Sequence, residues 1–114
     1  MQSYKELTVW QRGMELVRAV YLLTKSLPEV EAYGLFSQMR RAAVSIVSNI
    51  AEGYRRRSRR DYVRFLCIAD GSTAELETQL LLVETIYPIV DVQIALALNS
   101  EVQKTLGSLI RKLS

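Results

Sequence analysis

Apolar residues recur at intervals of three and four in four successive stretches of this 114-residue chain, and the punctuation between them is sharp. That spacing belongs to helices with one buried face, not to strands, where apolar residues alternate. The first stretch runs from about Val9 to Ser26. Trp10, Met14, Val17 and Tyr21 form one stripe, and Leu16, Val20, Leu23 and Leu27 form a second beside it. Thr8 is the candidate N-cap. Pro28 ends the stretch, because proline disfavours the helical conformation in the residue before it. The second helix is expected from about Tyr33 to Arg56. On a helical wheel Leu35, Met39, Ala42, Ile46, Ile50 and Gly53 fill a broad apolar arc with Phe36, Ala43, Val47 and Tyr54. Ser37, Gln38, Arg41, Ser45, Ser48, Asn49 and Glu52 fill the opposite arc, and Arg40 lies on the border.

A turn at Arg57-Ser58-Arg59 follows. Ser58 and Asp61 have capping-box spacing, with Asp standing in for the longer Glu or Gln. The third helix is expected from about Arg59 to Ile86, with a seam of Tyr62, Phe65, Ala69, Thr73, Leu76, Leu80, Val83 and Tyr87. Gly71 lies inside it, and a close backbone approach is the expected reason. Pro88 stops this helix. Asp91 can cap a fourth, running to about Lys112 on the stripe Ala95, Leu98, Val102, Leu106, Leu109 and Leu113, with Arg111 and Lys112 suited to its C-terminal dipole. With two prolines, five glycines and no long loop-forming run, the connections are short. The expectation is an all-α, antiparallel up-down-up-down four-helix bundle, with residues 1–114 forming one domain.

Composition narrows the function classes. Apolar residues are 49% of the chain, too many for disorder. No apolar run approaches the ~18 residues that cross a bilayer, so no membrane partner is expected. The opening Met1-Gln2-Ser3-Tyr4-Lys5-Glu6 has no hydrophobic signal region, which points to the cytoplasm. Histidine is absent, which removes the commonest general base and metal ligand. Cys67 is the single cysteine and reads as a small hydrophobe in a packed helix. No catalytic residue, metal site or cofactor follows from these residues.

Charge is strongly localised. Residues 40–64 hold eight arginines against Glu52 and Asp61, a net of +6, while the remainder nets −3. All eight basic residues are Arg, whose planar fork matches phosphate and carboxylate with two hydrogen bonds. Arg55 and Arg56 suit the end of helix 2, but Arg59 and Arg60 stand where the dipole of helix 3 disfavours cations. A solvated turn does not require them, and a simple solubilising face is the plain alternative to anion binding. Arg55, Arg56, Arg57, Arg59, Arg60 and Arg64 are therefore the candidate nucleic-acid-binding residues, for RNA or DNA. An acidic protein surface is the alternative partner. Tyr54 and Tyr62 flank them and can stack on bases, although their spacing favours core packing.

A polar seam is the second constellation. Ser45, Asn49 and Glu52 share one face of helix 2, and Ser72, Glu75 and Gln79 one face of helix 3. Antiparallel pairing about Ser58 brings Arg41 level with Glu75, Ser45 with Ser72, and Glu52 with Arg64. Glu52 and Glu75 are then displaced by about 12 Å, too far for shared metal or acid–base chemistry. Interhelical polar contacts, with Glu75 bound to Arg41 or else to Arg40, are the expectation. The wide arc of helix 2 and the two stripes of helix 1 exceed what one neighbour needs, which suggests a homo-oligomer.

The stretch Tyr33-Gly34-Leu35, Gln38-Met39-Arg40-Arg41-Ala42-Ala43, Ser45-Ile46 and Asn49-Ile50-Ala51-Glu52-Gly53 resembles the signature of the four helix bundle protein family. So does Ala69-Asp70-Gly71-Ser72 with Glu75, Glu77 and Gln79. Leu7-Thr8-Val9-Trp10 and Leu27-Pro28-Glu29 are similar too. This family is also called the 23S rRNA intervening-sequence protein or S23 family, and is related to the accessory variability determinant of diversity-generating retroelements. The resemblance implies a small bacterial bundle assembled as a ring-like homopentamer. In the retroelement relatives it implies a basic surface used for nucleic acid and for a reverse transcriptase. It carries over no catalytic residues. The family's recurrent polar motif falls on Asn49, Glu52, Ser72 and Glu75.

Overall fold

The computed structural model describes residues 3–114; Met1 and Gln2, part of the opening stretch read above, lie outside the described residues. Four helices make up the fold: α1 (Thr8–Thr24), α2 (Leu35–Tyr54), α3 (Arg59–Ile86) and α4 (Gln93–Leu113), with short 3-10 turns at Tyr4–Glu6 and Glu29–Tyr33. No strand is present among the described residues. Each helix packs on the next, and α1 closes against α4, in a bundle of 43 × 21 × 20 Å. Two contacts at different levels fix each pair as antiparallel. Arg40 meets Thr24, while Val47 faces Gly13. Ser45 meets Ser72, while Gly53 faces Phe65. Gln103 meets Thr73, while Gln93 meets Glu84. Arg12 meets Glu101, while a groove joins Leu22 and Leu23 to Ile94 and Ala95. The topology is up-down-up-down.

The stripes form the core: Leu16 and Val20, Met39, Ile46 and Ile50, Leu66, Leu76, Leu80 and Val83, and Val102 and Leu106 are fully buried in one continuous cluster. Of the two α1 stripes, Leu16, Val20, Leu23 and Leu27 enter the core. The other stays at the surface, with Met14 and Tyr21 exposed and Trp10 and Val17 half-buried. The wide arc of α2 needs no second subunit. Met39, Ala42, Ala43, Ile46, Val47, Ile50 and Gly53 are all buried within this chain, because α2 packs on both α1 and α3.

Several local expectations are corrected. Thr8 is the first helical residue and Leu7 the N-cap, without a side-chain cap. The cap sits earlier: Ser3 and Glu6 form a reciprocal capping box around the first 3-10 turn. Helix α2 starts at Leu35 because residues 29–33 form the second 3-10 turn. Asp91 does accept from the Gln93 amide at 3.0 Å, although Val92 occupies the N-cap position. Cys67 is exposed, since Phe65, Leu66 and Ala69 take the inward positions around it. Gly71 has no close approach: a Cβ there would meet nothing within 4 Å.

The glycines that matter are elsewhere. A Cβ on Gly13 would lie 2.7 Å from Val47 Cγ1, and one on Gly53 would lie 2.7 Å from Phe65 Cβ and 3.2 Å from the Tyr62 carbonyl oxygen. Gly53→Ala is expected to destabilise the protein by about 1–3 kcal/mol through overpacking against backbone, and Gly71→Ala to stabilise it by about 1 kcal/mol as a solvated helix interior. Urea unfolding of the two variants measures both signs.

The Tyr87 hydroxyl donates to Glu31 Oε2, tying the second 3-10 turn to the end of α3. That hydrogen bond, then burial, then the carboxylate charge push the hydroxyl's pKa above its ordinary value. A raised pKa means the phenol's contribution is complete below the unfolded value and lost as pH climbs through the folded one. Tyr62 is raised as well, by burial first and then by Tyr54, and adds a loss of the same sign. Tyr87→Phe is expected to lower stability at neutral pH and to show a shallower decline above pH about 10 than the parent. Thermal unfolding midpoints across that range test this.

Candidate nucleic-acid interface

The arginine turn sits at one end of the bundle, where α2 gives way to α3. Arg55, in right-handed helical conformation, is the C-cap of α2, and the Arg56 amide returns to the Gly53 carbonyl at 3.0 Å. Ser58 is extended, and its hydroxyl accepts from the Asp61 amide at 3.1 Å to start α3. Only this half of the expected capping box forms; the Asp61 carboxylate lies 3.8 Å from Arg64 Nε instead. Immediately inside the turn, Gly53 is pressed on Phe65 and Tyr62. There is no inward space, so Arg55, Arg56, Arg57, Arg59, Arg60 and Arg64 are all exposed.

Their partners are few. Arg56 and Arg64 lie over the Phe65 ring, at 4.6 and 4.8 Å from its centroid. This gives two guanidiniums a fixed aromatic seat and a modest cation–π attraction. The side chains of Arg55, Arg57, Arg59 and Arg60 make no ion pair, hydrogen bond or ring contact among the described residues. Tyr54 and Tyr62 pack edge to face, with centroids 6.0 Å apart and planes at 88°. Both are half-buried, so they serve the core more than a ligand. Beside the turn, Tyr4, Ala51, Glu52, Arg55 and Arg56 line a shallow recess of about 390 Å³.

The surroundings reinforce the charge. Residues 3–12, 48–66 and 104–114, which form this end, hold eleven basic and three acidic side chains, a net of +8. Residues 20–37 and 80–96, at the far end, hold one basic and four acidic, a net of −3. The +3 chain is thus polarised along its long axis.

The polar seam is reached in part. Ser45 Oγ and Ser72 Oγ are 2.9 Å apart, and Asn49 Nδ2 donates to the Ser45 carbonyl at 2.8 Å and to Ser45 Oγ at 3.1 Å. Ser45, Asn49 and Ser72 therefore meet. Arg41, Glu52 and Glu75 do not join them: all three are exposed and without a polar partner among the described residues. Arg41 and Glu75 share a level, but Ala42 and Leu76 fill the helix contact there, and the charged side chains project outside it. Arg64 turns to Asp61 and Phe65 rather than to Glu52. Arg40 turns the other way, to α1. Its Nε donates to Thr24 Oγ1 at 2.9 Å, and its guanidinium lies between the Tyr21 and Phe36 rings at 4.3 and 3.9 Å.

Sequence reasoning missed a second polar layer between α3 and α4. Buried Asn99 donates to the Thr73 carbonyl at 3.0 Å, and Gln103 Nε2 donates to Thr73 Oγ1 at 3.1 Å. The signal was there: Asn99 falls on the buried stripe between Ala95 and Val102. The two-pronged Arg12–Glu101 pair, at 3.0 and 2.9 Å, was also missed, since nothing local links positions 89 residues apart.

A family model described as 23S rRNA-intervening sequence protein matches residues 5–110. The chain belongs to this family. A crystal structure of a protein of unknown function from the S23 ribosomal protein family of Bacteroides thetaiotaomicron is similar to it, with 28% identity and a TM-score of 0.80 over 90% of this chain and 98% of that one. None of the curated proteins matches. The family's description names an rRNA intervening sequence and no activity. Among the described residues no helix is long and apolar enough to cross a membrane.

The Ser58 cap holds the arginine turn in shape. Ser58→Ala is expected to lower stability by about 1 kcal/mol through loss of the N-cap, and Ser58→Asp to retain it. Chemical unfolding of the pair separates cap loss from a change in hydroxyl chemistry.

Proposed function

We propose that this chain is a non-enzymatic, homo-oligomeric protein that binds nucleic acid through the arginine turn and acts as an adaptor in the cytoplasm. The observation that carries the reading is the set of unpartnered guanidiniums of Arg55, Arg57, Arg59 and Arg60, next to Arg56 and Arg64 on Phe65. Arg59 and Arg60 occupy the first turn of α3, where the helix dipole opposes them, and only Asp61 offsets them. Fold stability gives no reason for that arrangement. A bound phosphate chain does, because it reverses the sign of the local field and takes two hydrogen bonds per guanidinium. The residues lie on a turn and the first two turns of α3 and carry no base-reading motif, so backbone contacts dominate and sequence preference is weak.

The oligomer rests on the outer stripe of α1, where Trp10, Met14, Val17 and Tyr21 are left uncovered or half-covered by the chain itself. The number five comes from the family resemblance alone. Repeating the arginine turn around such an assembly multiplies its hold on a long polyanion. A reverse transcriptase is the protein partner that the resemblance to the retroelement relatives implies for the same surface.

If about four phosphates are contacted, the logarithm of the binding constant for single-stranded RNA falls against log salt with a slope near −3. Replacing Arg56, Arg57, Arg59 and Arg60 together by Ser is expected to flatten that slope and leave helicity and particle size unchanged. Fluorescence anisotropy across a salt series, with light scattering on the same samples, reads all three. Undiminished affinity in the quadruple variant moves the function to another surface. Failure of the parent to bind any nucleic acid at low salt favours instead an acidic protein partner for the same turn.

A further inference from the structure

The end of the bundle opposite the arginine turn is built differently. Tyr33 is 98% exposed, Ile89 96%, Val30 83% and Ile94 70%. The Tyr87–Glu31 hydrogen bond ties the turn carrying Val30 and Tyr33 to the end of α3, next to the connection that carries Ile89, so these side chains share one end of the bundle. Beside Ile94, a groove of about 310 Å³ runs between α1 and α4 over Leu22 and Leu23, with Asp91 at its edge. Glu29, Glu84 and Asp91 are exposed at this end, Asp91 lining the groove, with Lys25 as the one basic side chain among them. Two of these carboxylates are held in place: Glu84 by Gln93 Nε2 at 3.1 Å, and Asp91 by the Gln93 amide at 3.0 Å.

Single exposed apolar residues need no explanation, but four of them at one end, beside an apolar groove edged by a carboxylate, have the pattern of a docking site. We propose that this end binds a basic amphipathic helix of a partner protein, its apolar anchors laid along Leu22, Tyr33, Ile89 and Ile94 and its lysines or arginines against Glu29, Glu84 and Asp91. A groove between helices takes such a segment through anchors at spacings of three and four. These carboxylates select a cationic polar face and repel an anionic one. A second copy of this chain fits poorly. Its one strongly basic surface is the arginine end, where the large apolar ring, Phe65, is already buried beneath Arg56 and Arg64. The net charge of −3 at this end disfavours nucleic acid as the occupant. The surface is separate from the arginine turn, so the inference stands whether or not that turn binds RNA.

The probe is a fluorescent synthetic peptide of Leu and Lys patterned as an amphipathic helix, titrated with the full chain. Its controls are a scrambled peptide that breaks the apolar face and a version with Glu in place of Lys. Only the patterned cationic peptide is expected to bind. The combined variant Tyr33→Ser, Ile89→Ser, Ile94→Ser should weaken it by about tenfold or more. The combined variant Glu29→Gln, Glu84→Gln, Asp91→Asn should weaken it and flatten its salt dependence, while the arginine-to-serine quadruple variant binds as the parent does. Circular dichroism confirms that each variant folds. Equal binding of the scrambled peptide, or full affinity in the apolar variant, overturns the proposal. So does a fall in particle size caused by the apolar variant, which assigns this end to contact between copies.

Discussion

Helix α2 is held between two neighbours at positions where no side chain fits. Gly13 of α1 receives Val47, and Gly53 of α2 lies against α3 at the Tyr62 carbonyl oxygen and the Phe65 Cβ. These two close approaches set the depth and level of α2, and much else follows from them. At that depth the centre of the apolar arc of α2, from Met39 to Gly53, is consumed inside one chain. At that level Ser45 meets Ser72 and Arg40 reaches Thr24. Because α2 and α3 touch so closely just before the turn, the arginines that follow have no interior to enter. Their exposure is a packing consequence as much as a matter of charge.

Packing explains where the arginines point, but not why six of them stand together. A turn needing only polarity would tolerate Ser, Asn or Lys. Two features show how little the fold asks for this chemistry. Arg59 and Arg60 oppose the dipole of the longest helix. Four guanidiniums have no partner among the described residues, although the chain carries twelve carboxylates. Elsewhere the protein does use arginine structurally, and the contrast is clear. Arg12 grips Glu101 with two bonds across α1 and α4, and Arg40 is held between two aromatic rings.

Most of the fold was legible because periodicity, proline and serine act locally. The helix 3 boundaries follow from Ser58 and Pro88, and the core follows from the stripes. The antiparallel level count also succeeded at Ser45 and Ser72, since a tight turn fixes the level of every pair after it. It failed at Arg41 and Glu75 because level is not azimuth. Two residues at one height meet only if both face the contact, and here Ala42 and Leu76 do. Gly71 misled for a related reason: an internal glycine announces backbone freedom but not a neighbour, and the tight contacts belong to Gly13 and Gly53. The cap at Ser3, with Glu6 three residues on, was readable but preceded the first apolar stripe. The axial separation of charge was hidden altogether, since residues at one end of the bundle come from three separate stretches of sequence.

That separation has a physical consequence. The long axis spans 43 Å, while charges are screened over about 8–10 Å at ordinary ionic strength. The acidic end therefore does not weaken the field at the arginine end, and each can meet its own partner. In the proposed oligomer, the mode of assembly would decide what the field becomes. Copies joined side by side in parallel through the outer stripe of α1 bring their arginine ends onto one face, where their potentials add over neighbouring patches. Copies joined end to end place acid against arginine and cancel both. The stripe of exposed Met14 and Tyr21 with half-buried Trp10 and Val17 runs along the flank of the bundle, so an oligomer that buried it would align the long axes, and a ring about an axis parallel to them would keep them all pointing the same way. A ring built in this manner presents a continuous cationic rim on one face and a set of apolar, acid-edged surfaces on the other.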